Sequence, residues 1–219
     1  MIKTEELFDL SHTAASSLFT EGEAPFCALK KIKTEIYEIA RRGGYREIKE
    51  GVFIADGVNI SDSATVLPPV IIGRNTEIRP GAYIRGMAII GEGCVIGNST
   101  EIKNAIIFDE VQIPHYNYVG DSILGYKSHM GAGAIASNFR LDHKNITIKY
   151  GDVRIETGMR KLGVLLGDFA EVGCGSVLSP GTVVGRKTIV YPLSHVNGCL
   201  PAKSVFKNGK IKPRNDIKE

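Results

Sequence analysis

A six-residue repeat dominates the chain between residues 51 and 108. Every sixth position there is a large apolar residue: Ile54, Ile60, Val66, Ile72, Ile78, Ile84, Ile90, Ile96, Ile102 and Phe108. An α-helix repeats near 3.6 residues and a strand at two, and turn-forming residues recur too often here for any strand to run long. The period of six therefore predicts short strands separated by turns, with each sixth side chain pointing inward, as in a parallel β-helix.

The same period returns after an interruption. Its second run consists of Leu166, Val172, Leu178, Val184, Val190 and Val196. Between the two runs the phase slips near Ile113 and Val119, and a longer break follows Asn138. Repeats build the scaffold of a solenoid and insertions form loops on it, so we expect the functional residues at these interruptions.

The segments that flank the repeat predict additional elements. Apolar residues recur every three or four positions from Pro25 to Ala40, and Gly43 and Gly44 follow, which predicts an amphipathic helix. We expect residues 1–48 to form a helical cap on the first coil, residues 49–202 the β-helix, and residues 203–219 a charged tail. Alternating residues on both sides of Gly151 predict a β-hairpin arm near residues 143–158. We expect this arm to lean over a neighbouring subunit.

Composition excludes several classes of partner. The 219 residues carry a net charge of only +3 without a dense Lys/Arg block, which argues against nucleic acid. No apolar run has the length of a signal peptide or a membrane span, so we expect a cytoplasmic protein without a membrane partner. The spacing of Cys27, Cys94, Cys174 and Cys199 predicts free thiols, with Cys94 and Cys174 as small buried side chains.

Specific motifs are placed along the repeat. They are Arg79-Pro80-Gly81, Glu101-Ile102-Lys103-Asn104, His115-x-x-Tyr118-x-Gly120-Asp121, Gly131-Ala132-Gly133 followed by Asn138, and the segment 157–168. Over roughly residues 51–196 this ordered set resembles the acetyltransferase domain of bifunctional N-acetylglucosamine-1-phosphate uridylyltransferases. It looks closer still to their archaeal sugar-phosphate nucleotidylyltransferase/acetyltransferase relatives, which share a segment like residues 157–168. The resemblance implies an all-β, left-handed parallel β-helix that uses acetyl-CoA and no metal, and a homotrimer with active sites between subunits.

The resemblance also implies a catalytic base. In this family, the amino group of glucosamine 1-phosphate attacks the thioester of acetyl-CoA, and a histidine removes the proton of the amine. That histidine matches His115, and histidine is the side chain type most often used as a base near neutral pH. A single histidine in a polar loop is more often a surface residue, but the surrounding string from His115 to Asp121 favours catalysis.

Further binding residues follow from the same motifs. Cations and hydrogen-bond donors should surround a phosphate. The resemblance assigns the amino-sugar phosphate to Arg79, Lys103, Tyr118, His129, Asn138 and Lys144. It assigns acetyl-CoA to Ala132, Asn138, Phe139 and Cys174.

Several alternatives remain open at the level of sequence. The chain has Ala134 and Phe139 where the family usually has Thr and Tyr, so the acceptor could be a different amino-sugar phosphate or its nucleotide. The sequence has no nucleotidyltransferase motif, so we expect only the acetyl-transfer half. A γ-class carbonic anhydrase-like enzyme would need three histidine ligands for Zn²⁺, and only His115 and His129 lie plausibly close. A non-catalytic trimerisation or regulatory module is the other alternative.

Overall fold

The N-terminal part of the chain is helical. The structure, a computed structural model, describes residues 2–215. Helix α1 spans Thr4–Leu7 and α2 spans Ala28–Arg42, and short 3-10 turns occur at Leu10–His12, Ser16–Leu18 and Pro25–Cys27. The helix predicted downstream of Pro25 is confirmed. Pro25 begins the 3-10 turn before it, and Gly43 caps its C-terminus.

The rest of the described chain forms 27 short strands. The first fourteen are β1 Arg46–Lys49, β2 Val52–Ile54, β3 Asn59–Ile60, β4 Thr65–Val66, β5 Val70–Ile72, β6 Glu77–Ile78, β7 Tyr83–Ile84, β8 Ala88–Ile90, β9 Val95–Asn98, β10 Glu101–Lys103, β11 Ala105–Ile107, β12 Gln112–His115, β13 Tyr118–Gly120 and β14 Ile123–Leu124. The others are β15 His129–Met130, β16 Ile135–Ala136, β17 Thr147–Tyr150, β18 Val153–Glu156, β19 Val164–Leu166, β20 Glu171–Val172, β21 Val177–Leu178, β22 Thr182–Val184, β23 Ile189–Val190, β24 His195–Val196, β25 Cys199–Leu200, β26 Ser204–Lys207 and β27 Lys210–Pro213.

Three sheets form the sides of a parallel β-helix, as the six-residue period predicts. Sheet one is ordered β1-β2-β5-β8-β11-β14-β19-β22-β25, and sheet two β3-β6-β9-β12-β15-β20-β23-β26-β27. Sheet three is ordered β4-β7-β10-β13-β16-β21-β24. The coil strands pair in parallel, whereas β1 and β27 pair antiparallel with β2 and β26. One strand from each sheet makes a coil, so every coil exposes three faces and three corners.

The coil shortens from eighteen to seventeen residues after Ile90, and this corrects one predicted core position. Ile54 pairs with Ile72 and Ile72 with Ile90, eighteen residues apart, but Ile90 pairs with Ile107 after seventeen. Phe108 is therefore not the tenth inward residue of the repeat. It is fully buried elsewhere, against the rings of Phe8 and Phe19, with centroids 5.2 and 6.0 Å away.

Small hydroxyl side chains tie the corners together. The Thr76 hydroxyl donates to the Gly91 carbonyl at 2.7 Å, Thr100 to Ile113 at 3.1 Å, and Ser176 to Tyr191 at 3.1 Å. Each bond joins the corner of one coil to the next coil. These buried hydroxyls are hydrogen-bonded, as buried polar groups must be to avoid a desolvation cost.

The N-terminal segment lies along the flank of the coils. Helix α2 packs across β5 and β8, and Ile71 and Ile89, beside the inward positions of those strands, are fully buried. The edge of the first coil is covered by β1, which pairs with β2. The predicted helical cap thus differs from the structure: a strand protects the exposed edge, because only a strand can satisfy its unpaired amides.

A buried carboxylate anchors this segment. Asp168 is fully buried, and its carboxylate accepts hydrogen bonds from the Asp9 N–H at 2.8 Å, the Tyr126 N–H at 2.9 Å and the Arg186 guanidinium. Its own N–H donates to the Leu7 carbonyl at 3.0 Å. One side chain therefore joins the N-terminal segment to three successive coils.

The hairpin β17–β18 is formed, but it does not lie where we predicted. Ile146 and Ile148 are fully buried, and β17 contacts β22 and β25 of the same chain. A Cβ atom on Gly181 would come within 2.8 Å of the Ile146 side chain, so glycine makes room for this contact. The prediction that the arm leans over a neighbouring subunit is wrong for this apolar face.

The C-terminal end also differs from the prediction. Ser204–Lys207 continues sheet two as β26, and β27 folds back antiparallel on it. Residues 203–213, predicted as part of a charged tail, thus close the last coil, and their lysines mark an edge strand unsuited to further pairing. The end of the predicted tail, residues 216–219, lies outside the described residues.

The Asp168 anchor generates a test of stability. Asp168→Ala removes the acceptor shared by Asp9, Tyr126 and Arg186, so we expect a loss of about 3–5 kcal/mol, the usual cost of breaking a buried charge pair. Limited proteolysis with mass spectrometry should show much faster cleavage within residues 2–24. Asp142→Ala, which removes an exposed carboxylate that pairs with Arg140, is the control. Equal cleavage of both variants would contradict the anchor.

Candidate active site

The first group of predicted residues lies at the corner between sheets two and three. Asn98, His115 and Ala132 are spaced by seventeen residues, the coil length in this region, and therefore stack on successive coils. The Gly133 N–H donates to the His115 carbonyl at 3.0 Å, and the Gly175 N–H to the Ala132 carbonyl at 2.8 Å. The latter bond brings Cys174 beneath Ala132. We call His115, Ala132 and Cys174 the His115 column.

The local backbone directs His115 outward. A Cβ atom on Gly97 would collide with the Pro114 carbonyl, so the coil passes close beneath the strand that carries His115. Buried Asn117 accepts the His115 N–H at 3.1 Å and donates to the carbonyls of Gly131 and Ala134 at 2.8 and 3.1 Å. The side chain of His115 is exposed. No side chain among residues 2–215 hydrogen-bonds its imidazole, so the ring is available to a ligand or to another chain.

Two predicted substrate residues lie close to this corner on sheet two. The Arg79 guanidinium forms an ion pair with Glu77 at 3.0 Å, and His129 Nδ1 lies 2.9 Å from the carboxylate of Glu171. All four side chains are partly exposed. Such ion pairs contribute little to stability, so a ligand can compete for either partner.

The second group surrounds Asp121 at the corner between sheets three and one. Asp121 Oδ1 accepts from Asn104 Nδ2 at 2.7 Å, and Oδ2 accepts from Asn138 Nδ2 at 2.5 Å. Lys103 Nζ lies 3.8 Å from Oδ2, and Asn138 Nδ2 also donates to the Tyr118 hydroxyl at 3.1 Å. We call these five residues the Asp121 cluster.

Burial in this cluster changes the pKa of the Tyr118 phenol. Desolvation raises the pKa of Tyr118 above its ordinary value near 10, the hydrogen bond from Asn138 opposes this, and the nearby Asp121 carboxylate reinforces it. The phenol hence stays protonated across the physiological range. A Cβ atom on Gly120 would lie 2.5 Å from the Tyr118 hydroxyl, so glycine creates the space in which Tyr118 meets Asn138.

The loop that follows Asn138 carries the remaining candidates. Phe139 packs edge-on against His143 with ring centroids 5.1 Å apart, and Arg140 pairs with Asp142. The side chain of Lys144 is exposed, and its backbone N–H donates to Asp142 at 3.2 Å. Leu141 is 96 % exposed, which is unusual for a leucine. Neither Phe139 nor Lys144 contacts the Asp121 cluster through any hydrogen bond of the described chain.

The structure thus divides the predicted site into two groups. Lys103, Tyr118 and Asn138 lie together, whereas His115, Ala132 and Cys174 lie at the opposite end of the short strand β13. Sequence reasoning missed the central place of Asp121, which we had expected beside His115. The signal was present: Asn104, Asp121 and Asn138 are each seventeen residues apart, the length of one coil.

The cysteines give one confirmation and one correction. All four are free thiols, and Cys94 is buried, with its pKa raised to about 12 by desolvation. Cys174 is exposed, against the prediction of a buried side chain, because it lies in a corner turn rather than beneath a strand. Residues 2–215 contain no group of three or more His, Cys, Asp and Glu positioned to hold a metal ion. The described helices include none that could cross a membrane.

The fold and the two groups of residues define a hexapeptide-repeat β-helix protein related to acyltransferases. Residues 66–214 match the family described as GMPPB C-terminal domain. This match covers more than half of the chain, and the protein belongs to that family.

Curated relatives extend this result. The chain is 36% identical over 198 residues to the bifunctional protein GlmU of Methanocaldococcus jannaschii, which covers 89% of the chain and 46% of that protein. It is 35% identical over 174 residues to the bifunctional sugar-1-phosphate nucleotidylyltransferase/acetyltransferase of Sulfurisphaera tokodaii, covering 71% of the chain and 43% of that protein. The chain thus spans less than half the length of these bifunctional relatives. It is also 33% identical to the uncharacterized acetyltransferase YaiX of Escherichia coli, covering 70% of the chain and 74% of that protein.

Solved structures show a weaker likeness. The UDP-N-acetylglucosamine acyltransferase of Campylobacter jejuni has a TM-score of 0.47 at 16% identity, covering 75% of this chain and 73% of that one. The acetyltransferase domain of PglB from Neisseria gonorrhoeae, in complex with acetyl coenzyme A, has a TM-score of 0.39 at 14% identity, covering 81% and 64%. These likenesses carry no argument about the site.

The raised pKa of Tyr118 can be measured. We expect the ultraviolet difference between wild type and Tyr118→Phe to titrate above pH 10, because burial favours the neutral phenol. The stability that Tyr118 contributes should be present below pH 10 and be lost as the pH rises through its folded-state pKa. A difference titration centred at or below pH 10 would show that this environment does not exist in solution.

Proposed function

We propose that the protein transfers an acetyl group from acetyl-CoA to the amino group of glucosamine 1-phosphate or a closely related amino-sugar phosphate or nucleotide. The observation that carries this proposal is the Asp121 cluster, which gathers Lys103, Tyr118 and Asn138 on one surface while His115 remains outward and unpaired. The family and the acetyltransferase relatives support the reaction class. Acceptor identity, trimeric assembly and a cytoplasmic location belong to the proposal.

The chemistry requires one base and a means of positioning. The ammonium group first loses one proton to solvent. The free amine then attacks the thioester carbonyl of acetyl-CoA, and His115 takes the second proton, which the attacking nitrogen must lose to become an amide. The tetrahedral intermediate collapses by breaking the C–S bond, and the proton held by His115 neutralises the departing thiolate. Asn138 and Tyr118 hold the reacting groups in line, which lowers the entropic part of the barrier.

The separation of the His115 column from the Asp121 cluster supports the proposal that a second copy of this chain completes the site. In a single chain, His115 and Asn138 lie at opposite ends of β13, on different corners of the coil. A side-by-side assembly would bring the His115 column of one subunit towards the Asp121 cluster of the next. The nearly complete exposure of Leu141, just beyond Asn138, favours a covered position for that loop in the assembly.

The cations of the proposed phosphate site already have partners in the free chain. Arg79 pairs with Glu77 and Lys103 with Asp121, whereas Lys144 forms no ion pair within the described residues and lies near Asp142, whose pKa it helps to lower. A phosphate would therefore form bridged or exchanged ion pairs with Arg79 and Lys103. Lys144 would add a cation that forms no ion pair among residues 2–215.

Removal of the base is the first test. His115→Ala should lower kcat by about a hundredfold or more, as loss of a general base typically does, with little change in folding. Acetyl-CoA consumption measured against a panel of amino sugars, their 1-phosphates and UDP-amino sugars provides the readout. His12→Ala is the control, because it changes a half-buried histidine that stacks on Tyr126 and lies outside both groups. Near-normal turnover by His115→Ala would remove this residue from the mechanism.

Subunit mixing tests the shared site. His115→Ala and Asn138→Ala subunits, each inactive alone, should regain activity when co-assembled, because every mixed trimer contains one intact pair. Each mixed trimer has one intact site of three, so about a third of wild-type activity is expected for a cyclic trimer. Differently tagged copies, co-expressed and purified through both tags, provide the sample. Absence of any recovery would mean that the site lies within one subunit.

A further inference from the structure

Asp121 is the most tightly engaged carboxylate of the candidate site, and the proposed reaction does not use it directly. Its side chain is only 7% exposed, and both oxygens accept an amide hydrogen bond. The residue has a positive φ of 49°, and its backbone N–H donates to the Lys103 carbonyl at 2.9 Å. The Gly163 N–H donates to its carbonyl at 2.8 Å. The position of this carboxylate is thus fixed from both sides.

The fixed carboxylate of Asp121 determines how the side-chain amide of Asn138 is oriented. An asparagine amide has two N–H donors and one oxygen acceptor, and it can occupy its site in two flipped orientations. Asp121 accepts one donor at 2.5 Å and the Tyr118 hydroxyl accepts the other at 3.1 Å. A carboxylate can only accept here, so the flipped amide would place its oxygen against Asp121. The carboxylate thereby selects one orientation.

This orientation decides what the cluster offers to a ligand. No donor within residues 2–215 bonds Asn138 Oδ1, so this oxygen remains an acceptor. The Tyr118 oxygen, having accepted from Asn138, keeps its own O–H as a donor, and the raised pKa keeps that proton in place. Lys103 adds a positive charge, which is partly neutralised by Asp121 because Lys103 Nζ lies 3.8 Å from Asp121 Oδ2.

We propose that Asp121 is a positioning residue that locks the Asn138 amide with its oxygen towards the ligand, so that the site selects a neutral or cationic N–H or O–H donor at that point. A sugar hydroxyl, an ammonium group or the amide N–H of a pantetheine arm has this chemistry. A carboxylate or phosphate oxygen does not, and is repelled there. The inference rests on the proposed function for its kinetic consequence, whereas the amide orientation is independent of it.

Kinetics test how Asp121 acts. Asp121→Asn preserves shape and suits the positive φ, which asparagine tolerates well. The new side chain has one acceptor oxygen and one N–H₂ group in place of two acceptor oxygens. It can therefore accept from only one of Asn104 and Asn138, and the other amide must flip. We expect kcat/KM to fall roughly ten- to hundredfold, the range for a lost hydrogen bond to a charged group. In a double-mutant cycle, Asp121→Asn should add nothing to Asn138→Ala if it acts through that amide.

A matched control separates positioning from general destabilisation. Asp109 is another partly buried corner aspartate, which accepts the Glu92 N–H at 2.8 Å, and it lies outside both groups. Asp109→Asn should lower thermal stability without changing kcat/KM. Additive losses in the cycle, or an equal kinetic loss for Asp109→Asn, would overturn the positioning role.

The orientation itself has a readout that needs no turnover. In the ¹⁵N-labelled protein, the side-chain amide protons of Asn138, identified by their loss in Asn138→Ala, should exchange slowly with water. Exchange should be at least tenfold faster in Asp121→Asn and unchanged in Asp109→Asn. If wild type transfers no acetyl group to any acceptor, the proposed function fails, and this measurement still decides the proposal on Asp121. Fast exchange in wild type would overturn it.

Discussion

The parallel backbone ladder between coils is the constraint on which the rest of this structure depends. Each short strand hydrogen-bonds the same strand of the coils above and below, so side chains one coil apart must stack. Inward positions thereby become columns of isoleucine, valine and leucine, and the corners become columns of small polar residues. Function is confined to what remains: the outward corner positions and the segments inserted between coils.

Because side chains one coil apart stack into columns, the candidate residues can lie together although they are widely spaced in sequence. Asn104, Asp121 and Asn138 come from three coils, yet they form one hydrogen-bonded group because the coil length there is seventeen residues. The same spacing stacks His115 on Ala132. A change of one residue in coil length would disconnect every such group. The shortened coil near residue 107 therefore sets the register of the whole candidate site.

The period of six was sufficient to predict the coil, because no other regular structure buries every sixth residue. It failed at Phe108, where a shortened corner leaves adjacent apolar residues at 107 and 108 and the spacing cannot choose between them. The structure shows that Phe108 packs against the N-terminal segment, because the rings of Phe8 and Phe19 contact it. The direction of the hairpin was equally hidden: alternation shows that one face is apolar but not which surface covers it.

The site was predictable as a set of residues and not as a geometry. Motifs identified His115, Tyr118 and Asn138, but they gave no indication that the Tyr118 hydroxyl and Asn138 lie at the end of β13 away from His115. Reading the sequence in steps of one coil would have shown that separation and would have placed Asp121 between two asparagines. A β-helix presents each corner to a different direction, so residues from two corners can meet across one ligand only when a second surface closes the gap. This separation of corners is the reason for proposing a site shared between copies of the chain.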